Sequence, residues 1–586
     1  MKPLKIGLIV DDTQASKHVY ALAEWANSTE VLHVSHLIVQ APARTVAVER
    51  SRLIRLARRS PMQHLNNVLW RVKGRLESAR VTRIGAYRGE HASFNLRQVV
   101  AGEIRVAPIV SGSGFVRRFS DADLASIKQE GFDLLIRCGS GILKGGVLSS
   151  ARLGILSFHH GDNRINRGGP PGFWEVYHRQ ERTGFVLQRL TEELDGGDVI
   201  LRGYIPTQDT HLLNVAFLYA KSFHRIRSLL LETASTGQLP AAEAQYPYSG
   251  SLLKAPKLHQ LANYLVRQIA RSARGRLRTA LHLQERWGIC FAKSDWRGAV
   301  LWRGTRVTTP AGRFLADPFV VTRDGRTCVF AEDYVFRTAK GRISAFELGD
   351  AGARELGVAV EESFHLSFPF LFEFDGKLFM CPESNAAREI RIYECTQFPL
   401  QWRLSVVAMK NVVAADTMIF QKDGLWWMLT NISTSEPHDC GSELYAFWAR
   451  TPLSEDWRPH ASNPVVSDPL CARNGGLLRH EGGLVRVAQG RQFGSYGASA
   501  RLFRIAHLDS QEYSEEMMCT LTPEFARGIR GIHHFHSNGV YSVWDCKHWQ
   551  RMPVAEVAAR ESLPGAPPWH KRMSHRWLHF RPTRHQ

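Results

Sequence analysis

Residues 154–201 read GILSFHHGDNRINRGGPPGFWEVYHRQERTGFVLQRLTEELDGGDVIL, and this stretch decides the fold of the first half of the chain. An apolar run over 155–158 delivers His159 at its end. A polar loop rich in Gly and Pro follows, then a helix-like run from Phe173, a second apolar run after Thr183-Gly184, and a turn at Leu194-Asp195-Gly196-Gly197-Asp198. A histidine at one strand end and an aspartate in a glycine-rich turn after the next strand can meet in space, where the carboxylate orients the imidazole for proton transfer. Working outward, 6–10, 34–40 and 133–137 read as strands and 15–26 as a helix. Such alternation predicts a parallel α/β domain with its functional residues just beyond strand ends.

Beyond Trp287 the pattern changes to short runs rich in Val, Phe, Trp and Tyr between turn glycines. Asp324-Gly325, Asp375-Gly376, Asp423-Gly424, Glu481-Gly482 and Asn538-Gly539 recur at roughly 50–60 residues, each between two apolar runs, as hairpin turns do. Five hairpins at that period predict a propeller with one sheet per blade.

The chain has 586 residues, 44% of them apolar, which is enough to bury more than one core and excludes global disorder. The apolar run over 4–10 ends at Asp11-Asp12, too short for a signal peptide, and no long spanning segment follows, so a cytoplasmic protein is expected. Nine scattered cysteines without a C-x-x-C pair suggest neither a disulfide framework nor a zinc site. His533-His534-Phe535-His536 lacks the spacing of a zinc helix, and no metal is expected. The net charge of +20 invites a nucleic-acid reading, yet its concentrations over 254–278 and 570–584 lie in no nucleic-acid motif. The segment 254–287 reads as a basic amphipathic helix, either an interdomain helix with a solvated face or a surface for a membrane or an anionic substrate. The expected organisation is an α/β domain over 1–250, a basic helical linker over 251–287, a propeller over 288–560 and a basic tail over 561–586.

Ser157-Phe158-His159, Arg167-Gly168-Gly169-Pro170, Thr183-Gly184 and Leu194-Asp195-Gly196-Gly197 fall in the order of the motifs of the formyltransferase family, which includes methionyl-tRNA formyltransferase and the sugar N-formyltransferases. The first half resembles that family's catalytic, Rossmann-type domain. The resemblance implies 10-formyltetrahydrofolate as donor and an amine, such as an amino sugar or glycoconjugate precursor, as acceptor. It gives His159 the role of polarising the formyl carbonyl or shuttling the amine proton, and Asp195 that of orienting it. It places the pterin along Cys138, Gly139, Ser140, Gly141, Ile142 and Leu143, and the acceptor near His160, Asp162, Asn163 and Arg167. Ser157 stands where the family has asparagine. Loss of such an oxyanion donor typically costs about 100- to 1,000-fold in rate.

Phe314-Leu315-Ala316-Asp317-Pro318-Phe319, Phe330-Ala331-Glu332, His365-Leu366-Ser367-Phe368-Pro369, Pro382-Glu383-Ser384 and Ala415-Asp416-Thr417 resemble phrases of five-bladed, glycosidase-like propellers, and more specifically of the propeller domain of plant glucosamine inositolphosphorylceramide transferases. That resemblance implies an axial sugar-binding ring of Asp317, Glu332, Glu383 and Asp416, with an anionic glycolipid or nucleotide sugar as a possible ligand. Two functions follow as expectations: formyl transfer to an amine held with help from the propeller, or carbohydrate chemistry in the propeller with the first domain auxiliary or altered.

Overall fold

A computed structural model of the chain describes residues 2–40, 61–112, 114–193, 196–434 and 438–552. It divides into two compact units, residues 1–269 and 270–586.

The first unit is built on a seven-stranded sheet. Its strands in chain order are β1 (Leu4–Val10), β2 (Leu32–Gln40), β3 (Gly102–Val106), β4 (Leu134–Arg137), β5 (Ile155–His159), β6 (Arg182–Arg189) and β7 (Asp198–Pro206). They lie side by side as β7-β6-β5-β4-β1-β2-β3. The five from β5 to β3 run parallel, and β6 and β7 add an antiparallel edge. Alternation along β1 divides its side chains between two cores, because successive residues point to opposite faces. Ile6, Leu8 and Val10 pack with helix α1 (Lys17–Asn27) and, further on, with Ile226, Leu229 and Leu230. Ile9 packs on the other face with Ile38, Leu135, Ile155 and Phe119. Among the described residues the other α-helices are α2 (Pro61–Val81), α3 (Asp121–Gln129), α4 (Phe173–His178), α5 (His211–Thr236) and α6 (Leu258–Ala280), the last of which crosses the boundary between the units. The strand order reverses between β1 and β4, and the crevice beyond their carboxyl ends is where such sheets place a ligand.

Among the described residues the second unit contains five antiparallel sheets of at least four strands. Four are continuous in sequence, over 313–360, 367–410, 414–459 and 474–521. The fifth joins strands from both ends of the unit: Leu283–Ala292 pairs with Ser542–Arg551 along its whole length. One strand of each sheet packs beside one of the next, Arg313–Arg323 with Ser367–Phe374, then Ala414–Lys422, then Asn474–His480, then Phe535–Ser537, which returns to the first. Four of the five expected turns are two-residue turns with both central φ positive, from Asp324 (52°) and Gly325 (74°) to Glu481 (48°) and Gly482 (79°). That is the backbone twist a tight hairpin needs. The fifth differs. The Asn538 side chain accepts from the Val540 and Tyr541 amides, so the turn is a four-residue loop between Phe535–Ser537 and Ser542–Arg551.

Candidate functional site

At the crevice of the first unit, β1 hands on to Asp11, β4 ends in Arg137 and β5 carries Ser157. Asp11 accepts from the Ser140 amide at 2.8 Å and pairs with Arg117 at 2.8 Å, and Arg117 also donates to the Ser140 hydroxyl at 2.8 Å. Burial pushes the Asp11 carboxyl up, but the bonds from Ser140 and Arg117 hold it below its ordinary range. Arg137 donates to the Ser157 hydroxyl at 3.0 Å and to the Gly141 carbonyl, and its burial lowers its basicity.

Of the residues expected around a folate, Leu143, Ser157 and Asp162 are buried, Ser140 is exposed and the others described are half-buried. Ser157 is buried under Arg137. His159 donates from Nε2 to the Asn166 carbonyl at 2.9 Å, which fixes that nitrogen as the protonated one. His160 sits between Phe158 and Tyr219, with ring centroids 5.2 and 4.3 Å away, and burial pushes its imidazole down to about 3, so it is neutral. Asp162 receives Arg202 at 2.6 Å and the Tyr204 hydroxyl at 3.0 Å. Asn163 accepts from Arg202 at 2.9 Å, and Arg167 lies over the Tyr248 ring at 4.4 Å. The Cys138 amide donates to the Ile9 carbonyl at 2.8 Å, and burial pushes its thiol up to about 12. A side chain at Gly139 would meet Gln40 and Asp11, and Ile142–Leu143 pairs with Val116–Arg118. Within this loop the Cys138 amide is taken up by the Ile9 carbonyl and the Ser140 amide by Asp11, while Ser140 itself is exposed. Asp195 lies outside the described residues.

In the second unit, β-bulges aim the functional side chains. The first strands of three sheets slip against their partners at Ala316/Phe319, Ser367/Phe370 and Ala415/Met418. At each slip one residue has positive φ: Asp317 (51°), Phe368 (46°) and Asp416 (50°). Non-glycine residues rarely occupy that region, and a bulge there re-aims the side chain. Asp416, 1% exposed, receives Arg473 Nε at 2.5 Å and the Gln489 amide at 2.9 Å. Arg473 also faces Glu383 at 3.5 Å and lies over the Tyr496 ring at 5.2 Å. Burial first, and then repulsion from Asp416, pushes the Glu383 carboxyl well above its ordinary range.

Asp317 faces His533 Nε2 at 3.5 Å, while His533 Nδ1 lies 2.5 Å from Asp545. The imidazole stacks on Trp287 with centroids 3.9 Å apart. Burial pushes Asp317 up to about 7, against the pull of His533. Asp545 is equally buried, yet His533 and the amides of His533 and His534 hold it below its ordinary range. Two carboxyls beside one imidazole thus hold their protons differently, the condition for one to give a proton while the other stays charged. One ligand-type atom each from Asp317, His533 and Asp545 lie within 4.8 Å of one another, close enough to hold a cation. The expectation of no metal looked for helical spacing, whereas here sheet convergence brings the groups together. Of the expected ring, Asp317, Glu383 and Asp416 share this neighbourhood, and Glu332 faces His365 at 3.5 Å. Sequence reasoning missed Arg473, Gln489, Tyr496 and Asp545, and it gave His533 no part in a site.

Residues 304–536 match the family model for the N-terminal part of glucosamine inositolphosphorylceramide transferase 1. That stretch contains Asp317, Glu332, Glu383, Asp416, Arg473 and His533. The rice (Oryza sativa subsp. japonica) protein of that name is 37% identical over 207 residues, 34% of this chain and 27% of the rice protein. The chain therefore matches about a quarter of that relative's length. Two solved structures show a likeness with low scores: Zg3597, a family 117 glycoside hydrolase from Zobellia galactanivorans (TM-score 0.30, 11% identity, 44% of this chain and 90% of that one), and glycinamide ribonucleotide transformylase 1 from Symbiobacterium toebii (TM-score 0.26, 16%, 41% and 95%). The relatives named for glucosamine inositolphosphorylceramide transfer overturn the expectation of formyl transfer.

Proposed function

We propose that the second unit is a five-bladed propeller that binds a sugar at the Asp317, Glu383, Asp416 and Arg473 cluster, and that the chain is a carbohydrate-active transferase or hydrolase. The observation that carries this reading is the convergence of carboxyls from separate sheets on one buried arginine. Carboxylates and a guanidinium together match sugar hydroxyls as acceptors and donors. A carboxyl pushed up to about 7, as Asp317 is, can protonate a leaving oxygen near neutral pH. The relatives' name supports an amino sugar and an inositol-containing glycolipid as the ligand class.

The test is turnover and binding by the full chain with nucleotide-activated glucosamine and an inositolphosphorylceramide acceptor. Asp317→Asn and Glu383→Gln should each lower sugar transfer or release at least ~10-fold while leaving the melting temperature near that of the parent. Parental activity in both variants would overturn the reading.

A further inference from the structure

Helix α2 presents two different faces. Glu77 accepts from the Tyr264 hydroxyl at 2.6 Å, and Asn66 donates to the Pro256 carbonyl at 3.0 Å, so one face packs on α6 and the segment leading into it. Lys73, on the same side, pairs with Glu77 at 3.0 Å and lies over the Trp70 and Tyr264 rings at 4.7 and 5.5 Å. The other face is apolar and exposed. Met62, Leu65, Val68, Val72 and Leu76 recur at three- and four-residue steps and are 45–61% exposed. A contiguous apolar helix stripe left in water marks a surface that meets something.

Charge shows what it meets. Glu77 is the one acid in α2, and it is buried, whereas Arg71, Arg75 and Arg80 are exposed. The part of α6 in the first unit, Leu258–Ile269, carries Arg267 and no acid, and it exposes Val266 and Ile269 as well. Among the described residues no helix is long and apolar enough to cross a membrane. Apolar side chains flanked by arginine, without exposed acids, suit the boundary between headgroups and acyl chains of an anionic bilayer.

We propose that the outer face of α2, with α6 beside it, docks on a bilayer surface rich in anionic lipid. Leu65, Val72 and Leu76 enter the headgroup boundary while Arg71 and Arg75 meet lipid phosphates. This surface lies in the first unit and stands apart from the sugar reading of the second, so either can fail alone.

The experiment is co-sedimentation of the full chain with vesicles of phosphatidylcholine alone and of phosphatidylcholine with phosphatidylserine. The parent should bind only the mixed vesicles, and less so in high salt. Leu65→Glu with Leu76→Glu should lower the bound fraction at least ~10-fold, and Arg71→Gln with Arg75→Gln should lower it severalfold, with the melting temperature unchanged in both. Equal binding to both vesicle types, or parental binding by the leucine pair, would overturn the proposal. So would a parent that is dimeric by light scattering and a leucine pair that is monomeric, since a second copy would then cover the stripe.

Discussion

The crevice of the first unit and the charged cluster of the second both collect arginine and oxygen at the ends of strands, but they settle the charge differently. Arg137 bonds to a hydroxyl and a backbone carbonyl, both neutral. Arg473 bonds to one carboxylate and faces a second, with all three groups buried. A buried arginine with neutral partners can be removed at the cost of its hydrogen bonds. One that neutralises buried acids cannot, because its loss leaves charge without compensation. Stored charge of this kind is found at functional sites, and it directs attention to the second unit.

The largest expected effect tests that contrast directly. Arg473→Met should destabilise the second unit by about 3–5 kcal/mol, read by calorimetric melting, whereas Arg137→Met should cost the first unit about 1–2 kcal/mol. Equal losses would break the comparison. Next comes Gly168→Ala. A side chain there would lie 1.8 Å from the Leu253 carbonyl oxygen, and Gly169 donates to that same carbonyl. The segment must move, at about 1–3 kcal/mol, and the loss should appear in the first unit alone.

The pH dependence sharpens the same contrast. Asp317 and His533 are both pushed up, so the folded second unit holds protons that the unfolded chain releases. The contribution of Asp317 is complete below the unfolded carboxyl range and is lost as pH rises through about 7, and that of His533 is present below the unfolded imidazole range and is lost above it. Melting temperature should therefore fall across that interval, and Asp317→Asn should flatten the slope. Asp545, which is held low, acts in the opposite sense and loses its contribution only in acid. The smallest effect is Ser157→Ala, which removes one neutral acceptor and should cost at most about 1 kcal/mol. A much larger loss would mean that the crevice also depends on stored charge.

The regular parts of both units were legible because their signals are local. The runs ending at Asp11, Arg137 and His159 are strands, and Asp-Gly pairs make tight turns at three of the five places. Asp317 and Asp416 were found through the phrases around them, and the bulges explain why an aspartate sits there. The partners were not legible. Arg473 reaches Asp416 across 57 positions, and Asp545 approaches the Asp317 amide across 228, separations that carry no periodic signal. The motif of the first unit misled for a related reason. Order along the chain placed Ser157 and His159 correctly on β5, but their hydrogen bonds run to Arg137 and to the Asn166 carbonyl, and these decide which groups face outward.

The fifth sheet sets a timetable for the protein's synthesis. Leu283–Ala292 leaves the ribosome about 250 residues before its partner Ser542–Arg551, a wait of roughly 10–50 s at ordinary elongation rates. Through that interval it offers an unpaired edge to any passing strand. Asp317 waits as long for His533. The second unit thus reaches its native electrostatics only once Ser542–Arg551 has been made, and a nascent chain stalled short of Ser542 should engage chaperones through an edge that the folded unit no longer has.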